Sequence, residues 1–233
     1  MEIKIRKQVL EKNLTEADKN RRYFKKNNLF VLNMMSSPGS GKTETLCRTL
    51  KSLMPDIRVG VIVGDICTTN DADRLVVTGA KVTQINTDQF GGDCHLAAPL
   101  IDTAARKLGC EDLDLLIVEN IGNLVCPAEF DIGEDARAVV LSVTEGEDKP
   151  LKYPLMFQVS DAAILNKVDL LPYLDFDDVL AVENMKKVHP GMPVFALSAK
   201  TGEGLDPWLD WLRQKVKKKQ GNQGGVIKSE NPS

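Results

Sequence analysis

Between Ser36 and Thr43 the chain reads SSPGSGKT, directly after an apolar run and directly before a segment of helical spacing. Gly39 and Gly41 let the backbone turn its N–H groups toward phosphate oxygens, Lys42 reaches the terminal phosphates of a nucleoside triphosphate, and the Thr43 hydroxyl can ligate Mg²⁺. Ser37, Pro38, Gly39, Ser40, Gly41, Lys42, Thr43 and Glu44 are therefore the expected phosphate-binding residues. Ser36 stands where such loops usually open on glycine, but the residues nearest the phosphates are intact. An ordinary glycine turn is the competing reading, and the strand–loop–helix context weighs against it.

NKVD, residues 166–169, follows another apolar run, at the edge where open α/β sheets bind ligands. The Asp169 carboxylate can accept from both N–H donors of guanine's pairing edge, whereas adenine offers neither, so Asp169 would select GTP over ATP. Asn166 belongs to the same motif, and Lys167 can cover the base with its aliphatic stem. Ser198, Ala199 and Lys200 form a second loop against the base. Taken alone, NKVD also reads as a helix cap; after a phosphate loop its order supports a base site.

Carboxylates between these motifs could sense the γ-phosphate. Asp65 and Glu119 each follow an apolar run, and with Thr43 they are the candidates for holding Mg²⁺, which takes oxygen ligands in near-octahedral geometry. Asp71 or Asp73 could orient the attacking water. Capping or solvated loop carboxylates are the alternative.

A different chemistry is suggested by GGDCHLAAPL, residues 91–100, in a chain with only two histidines. A helix over 94–108 with Asp93 as N-cap would place Cys94 in its first turn, where the dipole favours the thiolate that binds metals. One Cys–His pair cannot surround a tetrahedral ion, so more ligands are needed; Cys126, beyond Glu119 in the same post-strand segment, is the candidate. Packing of Cys94 and His95 remains the alternative, since no CxxC or HxxxH spacing is present. Cys47 and Cys110 read as core or surface thiols, Cys67 is open, and His189 reads as a helix-end residue.

The elements that must position these groups are legible as alternating runs. Strands are expected at 29–36, 58–64, 81–85, 114–119, 138–143, 162–166 and 193–198, several of them apolar on both faces as in parallel sheets covered by helices. Helices are expected at 42–53, 94–108, 176–188 and 205–219. This is an α/β P-loop NTPase fold, a doubly wound, mostly parallel sheet with helices on both faces. Residues 1–28, with spaced Ile3, Ile5, Val9, Leu10 and Leu14, read as a basic surface helix; 29–219 as the nucleotide domain with an inserted metal site; 220–233 as a disordered tail. At 233 residues and 42% apolar content one buried domain is expected, and the net charge of −3 argues against a nucleic-acid partner. The five cysteines lack a disulfide framework, and no run suits export or a membrane span, so a cytoplasmic location is expected.

SSPGSGKTET, GDICTTNDADR, GGDCHLAAPLI, ENIGNLVCPAEFDIGED and NKVDLLPY together resemble the hydrogenase nickel-incorporation GTPases, the HypB family, over roughly residues 25–215. The resemblance implies a cytoplasmic, dimerising SIMIBI-type GTPase that binds nickel or zinc. It also implies nickel delivery to the large subunit of nickel–iron hydrogenase with a zinc-binding maturation partner. A GTP-dependent homodimer would bring two copies of Cys94, His95 and Cys126 to one axis. Where some relatives carry a lysine that crosses to the other subunit, this chain has Ser37, and Lys149 or Lys152 is the substitute candidate. No histidine-rich stretch lies near residue 1, so nickel storage is not expected. Slow turnover is, because no arginine finger is readable. The alternatives are a urease-directed nickel GTPase, whose family separates the cysteine and histidine by proline, and a GTP-gated metal carrier in which hydrolysis is dispensable. A P-loop kinase fits less well, as the base-reading loops are occupied and no arginine-rich lid is visible.

Overall fold

A computed structural model of the chain describes residues 2–54, 56–65, 70–87 and 94–221. Seven strands, β1 (Phe30–Ser36), β2 (Val59–Asp65), β3 (Lys81–Asn86), β4 (Leu115–Gly122), β5 (Ala136–Ser142), β6 (Ala162–Asn166) and β7 (Val194–Leu197), form one sheet in the order β3-β2-β4-β1-β5-β6-β7. Every pairing is parallel. Parallel strands need crossovers; of the expected helices α2 (Lys42–Leu53), α4 (Ala98–Leu108) and α8 (Asp178–Val188) lie in them, and α9 (Leu205–Gly221) follows the last strand. Shorter helices α3 (Asn70–Val76), α5 (Cys126–Glu129), α6 (Lys149–Lys152) and α7 (Pro154–Gln158) punctuate the loops, and α1 (Glu2–Lys26) precedes the sheet. No helix among the described residues is long and apolar enough to cross a membrane.

β1 lies at the centre and is buried at every residue, which explains its unbroken apolar run. Leu32 and Met34 face the cluster built with Leu46 and Leu50 of α2 and Trp208 and Leu212 of α9. Val31 faces the opposite cluster, with Phe24 of α1 and Ile101 and Ala104 of α4, while Met35 meets Met156, Phe157 and Met185 of α7 and α8. Alternation along one strand thus fills both layers. β4 continues past Glu119 to Gly122, so Glu119 is a strand residue rather than the start of a loop.

α1 departs from its expected face. Val9 and Leu14 are each 51% exposed, whereas Asn13, Ala17, Asn20 and Phe24, one stripe at helical spacing, are buried. The stripe is half polar because it grips backbone: Asn20 Nδ2 donates to Ala98 O (2.8 Å) and Ile132 O (3.0 Å). Asn13 accepts from Ala98 N (2.9 Å) and donates to Asp131 O (2.7 Å). Gly133 (φ 89°) crosses α1 so closely that a Cβ would stand 2.7 Å from Ala17 O, and Arg21 pairs with Asp131 at 2.6 Å. Asn20→Ala withdraws the donor both carbonyls share and is expected to cost about 1–3 kcal/mol, read as a lower denaturation midpoint in urea. An unchanged midpoint contradicts the docking role. The expected tail lies outside the described residues from 222 onward, and α9 extends to Gly221.

Candidate nucleotide and metal sites

The loop after β1 builds a cleft of about 400 Å³ lined by residues 38–44, Gly64, Arg74 and 119–122. Gly39 and Gly41 take left-handed φ of 76° and 91°, and a Cβ on Gly41 would meet Asn166 Nδ2 at 2.5 Å. Gly41 caps α2 without a side-chain hydrogen bond, so the first-turn N–H groups of this helix face the cleft as an anion cradle. Ser36, the departure from the usual glycine, has a role: its hydroxyl receives Lys42 Nζ at 2.9 Å and donates to Ser37 O at 2.6 Å. Ser37 Oγ in turn donates to Glu145, which also receives Ser142 N at 3.0 Å.

Thr43 and Glu119 are brought together as expected. Thr43 Oγ1 donates to Glu119 Oε1 at 2.7 Å, both residues being buried at the C-terminal edge of the sheet. The register explains why: β4 lies between β1 and β2, with Glu119 opposite Met34 and Val63. An all-oxygen donor pair beside the cradle, with Ser40 Oγ buried and unpartnered among the described residues, fits a phosphate with a hard divalent cation. Asp65 ends β2 on the same edge, and Asp71 and Asp73 lie on α3; their side chains fall outside the described set.

Beside the cleft, and sharing Gly41 and Glu44 with it, is a pocket of about 190 Å³ lined also by Asn166, Lys167, Asp169, Leu170, Ala199 and Lys200. Asn166 ties three loops together: Nδ2 donates to Ser40 O (2.9 Å) and Oδ1 accepts from Ala199 N (3.1 Å). Ser198 Oγ donates to Asp169 Oδ1 at 2.6 Å and so fixes the carboxylate. Lys167 adopts φ 65° and its ammonium reaches Gly39 O at 2.7 Å, bracing the phosphate loop in addition to walling the pocket. Two arginines escaped the sequence reading. Arg48 of α2 donates to Ala199 O (3.0 Å) and Lys200 O (2.5 Å), and Arg74 lines the cleft in an ion pair with Glu44. Neither has a local signature, since their partners are distant in sequence.

At the cysteine–histidine pair the expectation needs correction. α4 begins at Ala98 with Ala97 as its N-cap, so Cys94 and His95 precede the helix and Asp93, outside the described residues, does not cap it. Pro99 explains this: a helix from 94 would require its missing N–H to bond His95 O, whereas the first turn leaves that group unneeded. The dipole argument for a Cys94 thiolate therefore fails. Cys94 Sγ lies 4.0 Å from His95 Nδ1, both half-buried, and the His95 ring stacks on Phe130 at 3.6 Å. Phe130 directly follows α5, whose first residue is Cys126, half-buried and held where Asn123 Oδ1 accepts from Val125 N (2.7 Å) and Cys126 N (3.3 Å). The structure thus joins the His95 segment to the one bearing Cys126. Among the described residues of one chain, no group of three or more His, Cys, Asp and Glu could hold a metal ion.

Two further thiols and the second histidine sit in packed surroundings. Cys47 and Cys110 are buried; burial pushes the Cys47 thiol up and the Cys110 thiol to about 11, so neither ionises readily. His189 ends α8 with Nδ1 3.2 Å from Phe157 O. Cys67 lies outside the described residues. Lys149 stands 5.5 Å over the Tyr153 ring and Lys152 pairs with Asp148 at 2.5 Å.

The model of the CobW/HypB/UreG nucleotide-binding domain matches residues 30–196. The chain is 50% identical to the hydrogenase maturation factor HypB of Rhizobium leguminosarum over 210 residues, 90% of this chain and 69% of that protein. It is 41% identical to the hydrogenase/urease maturation factor HypB of Helicobacter pylori over 218 residues, 92% of this chain and 88% of that one. The crystal structure of HypB from Helicobacter pylori in complex with nickel superposes with a TM-score of 0.82 at 40% identity, covering 89% of this chain and 96% of that one. With a seven-stranded parallel sheet, a family match over residues 30–196 and 50% identity over 90% of its length, this chain belongs to the CobW/HypB/UreG family, among its HypB hydrogenase maturation factors.

Proposed function

We propose that the chain is a GTP-hydrolysing metallochaperone that delivers nickel during the maturation of nickel–iron hydrogenase, with nucleotide-dependent dimerisation coupled to nickel or zinc binding. The observation that carries the reading is the continuity of the phosphate cleft with the Asp169 pocket through Gly41 and Glu44, at the sheet edge from which the Cys126 segment departs. In the reaction, water attacks the γ-phosphorus, the bond to the β–γ bridging oxygen breaks, and GDP and phosphate leave. Lys42 and the cradle N–H groups stabilise charge on the transferring group and the leaving oxygen. Thr43, Glu119 and Asp65 would hold Mg²⁺, which when bound neutralises phosphate charge, and Asp71 or Asp73 orients the water.

Asp169 makes the site a guanine site. Asp169→Asn replaces one acceptor by a donor, which meets guanine's donors badly and suits xanthine, whose pairing edge has a carbonyl in place of the 2-amino group. GTP hydrolysis at limiting substrate is expected to fall by about 10²-fold or more while xanthosine triphosphate becomes a substrate. Phosphate release with GTP, ATP and xanthosine triphosphate measures this; wild-type turnover of ATP equal to that of GTP contradicts the reading.

The soft Cys94, His95 and Cys126 set suits nickel or zinc, and the described residues of one chain do not complete a site, so this reading puts the ligands at a two-fold interface. Exposed Leu151, Leu155, Tyr173, Leu174 and Val179, on and beside the mutually packed α6, α7 and α8, are the kind of apolar surface a second copy covers. Lys149 or Lys152 of α6 would then approach the other copy's nucleotide. The remaining partners are a zinc-binding maturation protein and the hydrogenase large subunit. The name of the Helicobacter pylori relative adds urease as a client of that protein. Adjacent Cys94 and His95, without an intervening proline, favour hydrogenase here; activation of hydrogenase and not urease in a cell lacking the endogenous factor is the expected result.

A further inference from the structure

Asn120 follows Glu119 in β4, is 1% exposed, and also borders the phosphate cleft. A buried primary amide is costly unless paired, and here its partners lie on separate elements. Its Oδ1 accepts from Ile121 N (2.9 Å) and from Leu96 N (3.2 Å), while Nδ2 donates to Asn33 Oδ1 (3.2 Å) of β1. Leu96 is the residue after His95. Two residues further on, Ala98 N and O are held by Asn13 and Asn20 of α1. The chain that directly follows Cys94–His95 is therefore held by one side chain of β4 at Leu96 and by α1 at Ala98.

Strand alternation gives that side chain its significance. Successive residues point to opposite faces of a sheet, so Glu119 reaches Thr43 on the α2 side and Asn120 reaches Leu96 on the α4 side. When Glu119 exchanges the Thr43 hydroxyl for a phosphate-bound cation, any displacement of this end of β4 moves Asn120 and pulls or releases Leu96 N. We propose that Asn120 is the positioning residue that transmits occupancy of the nucleotide cleft through the sheet to Cys94 and His95. The inference rests on the nucleotide-gated reading above and adds the connection between its two sites.

The test uses the full chain saturated with Mg²⁺ and either GDP or a non-hydrolysable GTP analogue, titrated with Ni²⁺. Wild-type affinities should differ between the two states within the usual coupling range of about 5–150-fold, and Asn120→Ala should bring the ratio to within about twofold. A ratio that survives in Asn120→Ala overturns the relay and leaves nucleotide gating standing; equal wild-type affinities overturn gating and the relay together. Amide exchange at Leu96 in the wild-type chain provides a second measurement that no folding defect can obscure. Its rate should differ between the two nucleotide states while that of the Ala98 amide, anchored by Asn13, stays constant. Identical Leu96 exchange in both states overturns the relay.

Discussion

Lys42→Ala should lower GTP hydrolysis by about 10²–10³-fold, the usual loss when one preorganised donor to a developing anion is removed. Its ammonium is held at the mouth of the cradle by Ser36 Oγ at 2.9 Å, so it is already placed before substrate arrives. Alanine leaves the glycine turn and the α2 N–H groups in place, and nucleotide binding should weaken less than turnover. Single-turnover phosphate release under saturating GTP separates the two effects. The same variant distinguishes an enzyme from a GTP-gated carrier: hydrogenase activation should be lost with hydrolysis. Activation that persists while GTP stays bound and uncleaved would establish the carrier.

The second large effect concerns the metal. The Cys94→Ala, Cys126→Ala double variant should lose more than about 100-fold in Ni²⁺ affinity, since removing even outer-shell partners costs about 10–100-fold. Both thiols are half-buried, Cys94 near the imidazole of His95, and the His95 ring rests on Phe130 next to the helix that Cys126 begins. Competition against a chelator reads the affinity, and activation of hydrogenase reads the consequence. The nucleotide cleft contains neither cysteine, so GTP affinity of the variant serves as the check on folding. Normal nickel uptake by the variant removes these residues from the site.

The central sheet was legible because strands buried on both faces must be apolar throughout. The 162–166 run is β6, and the 29–36 run is β1 to within one residue. The turns that follow β1 and β6 were legible for a related reason, since the glycines of SSPGSGKT and the polar residues of NKVD are local signals. What escaped depends on distance. Arg48 steadies the loop at Ala199 from α2, and Asn120 meets Leu96 across the sheet, contacts that no local spacing announces. The α1 face was misjudged because its inward stripe carries Asn13 and Asn20, whose polarity reads as solvent exposure until their backbone partners are known. At α4 the error was local: Pro99 sets the helix start at Ala98, and the apolar periodicity that continues upstream hid it. That Glu119 lies beside Thr43 was legible from chemistry, because both were expected at one edge of the sheet, although β4 runs on past Glu119 to Gly122.

In the proposed function the cradle and the cysteine–histidine segment act as one device across two copies of the chain. Native mass measurement of the protein with Ni²⁺, in GDP and in a non-hydrolysable GTP analogue, tests it most directly by reporting subunit count and bound metal together. A nickel-bearing dimer is expected in the GTP-analogue state, with a nickel load that changes in GDP and vanishes in the Cys94→Ala, Cys126→Ala variant. A monomer in both states, or one nickel load common to both nucleotides and to the variant, contradicts it.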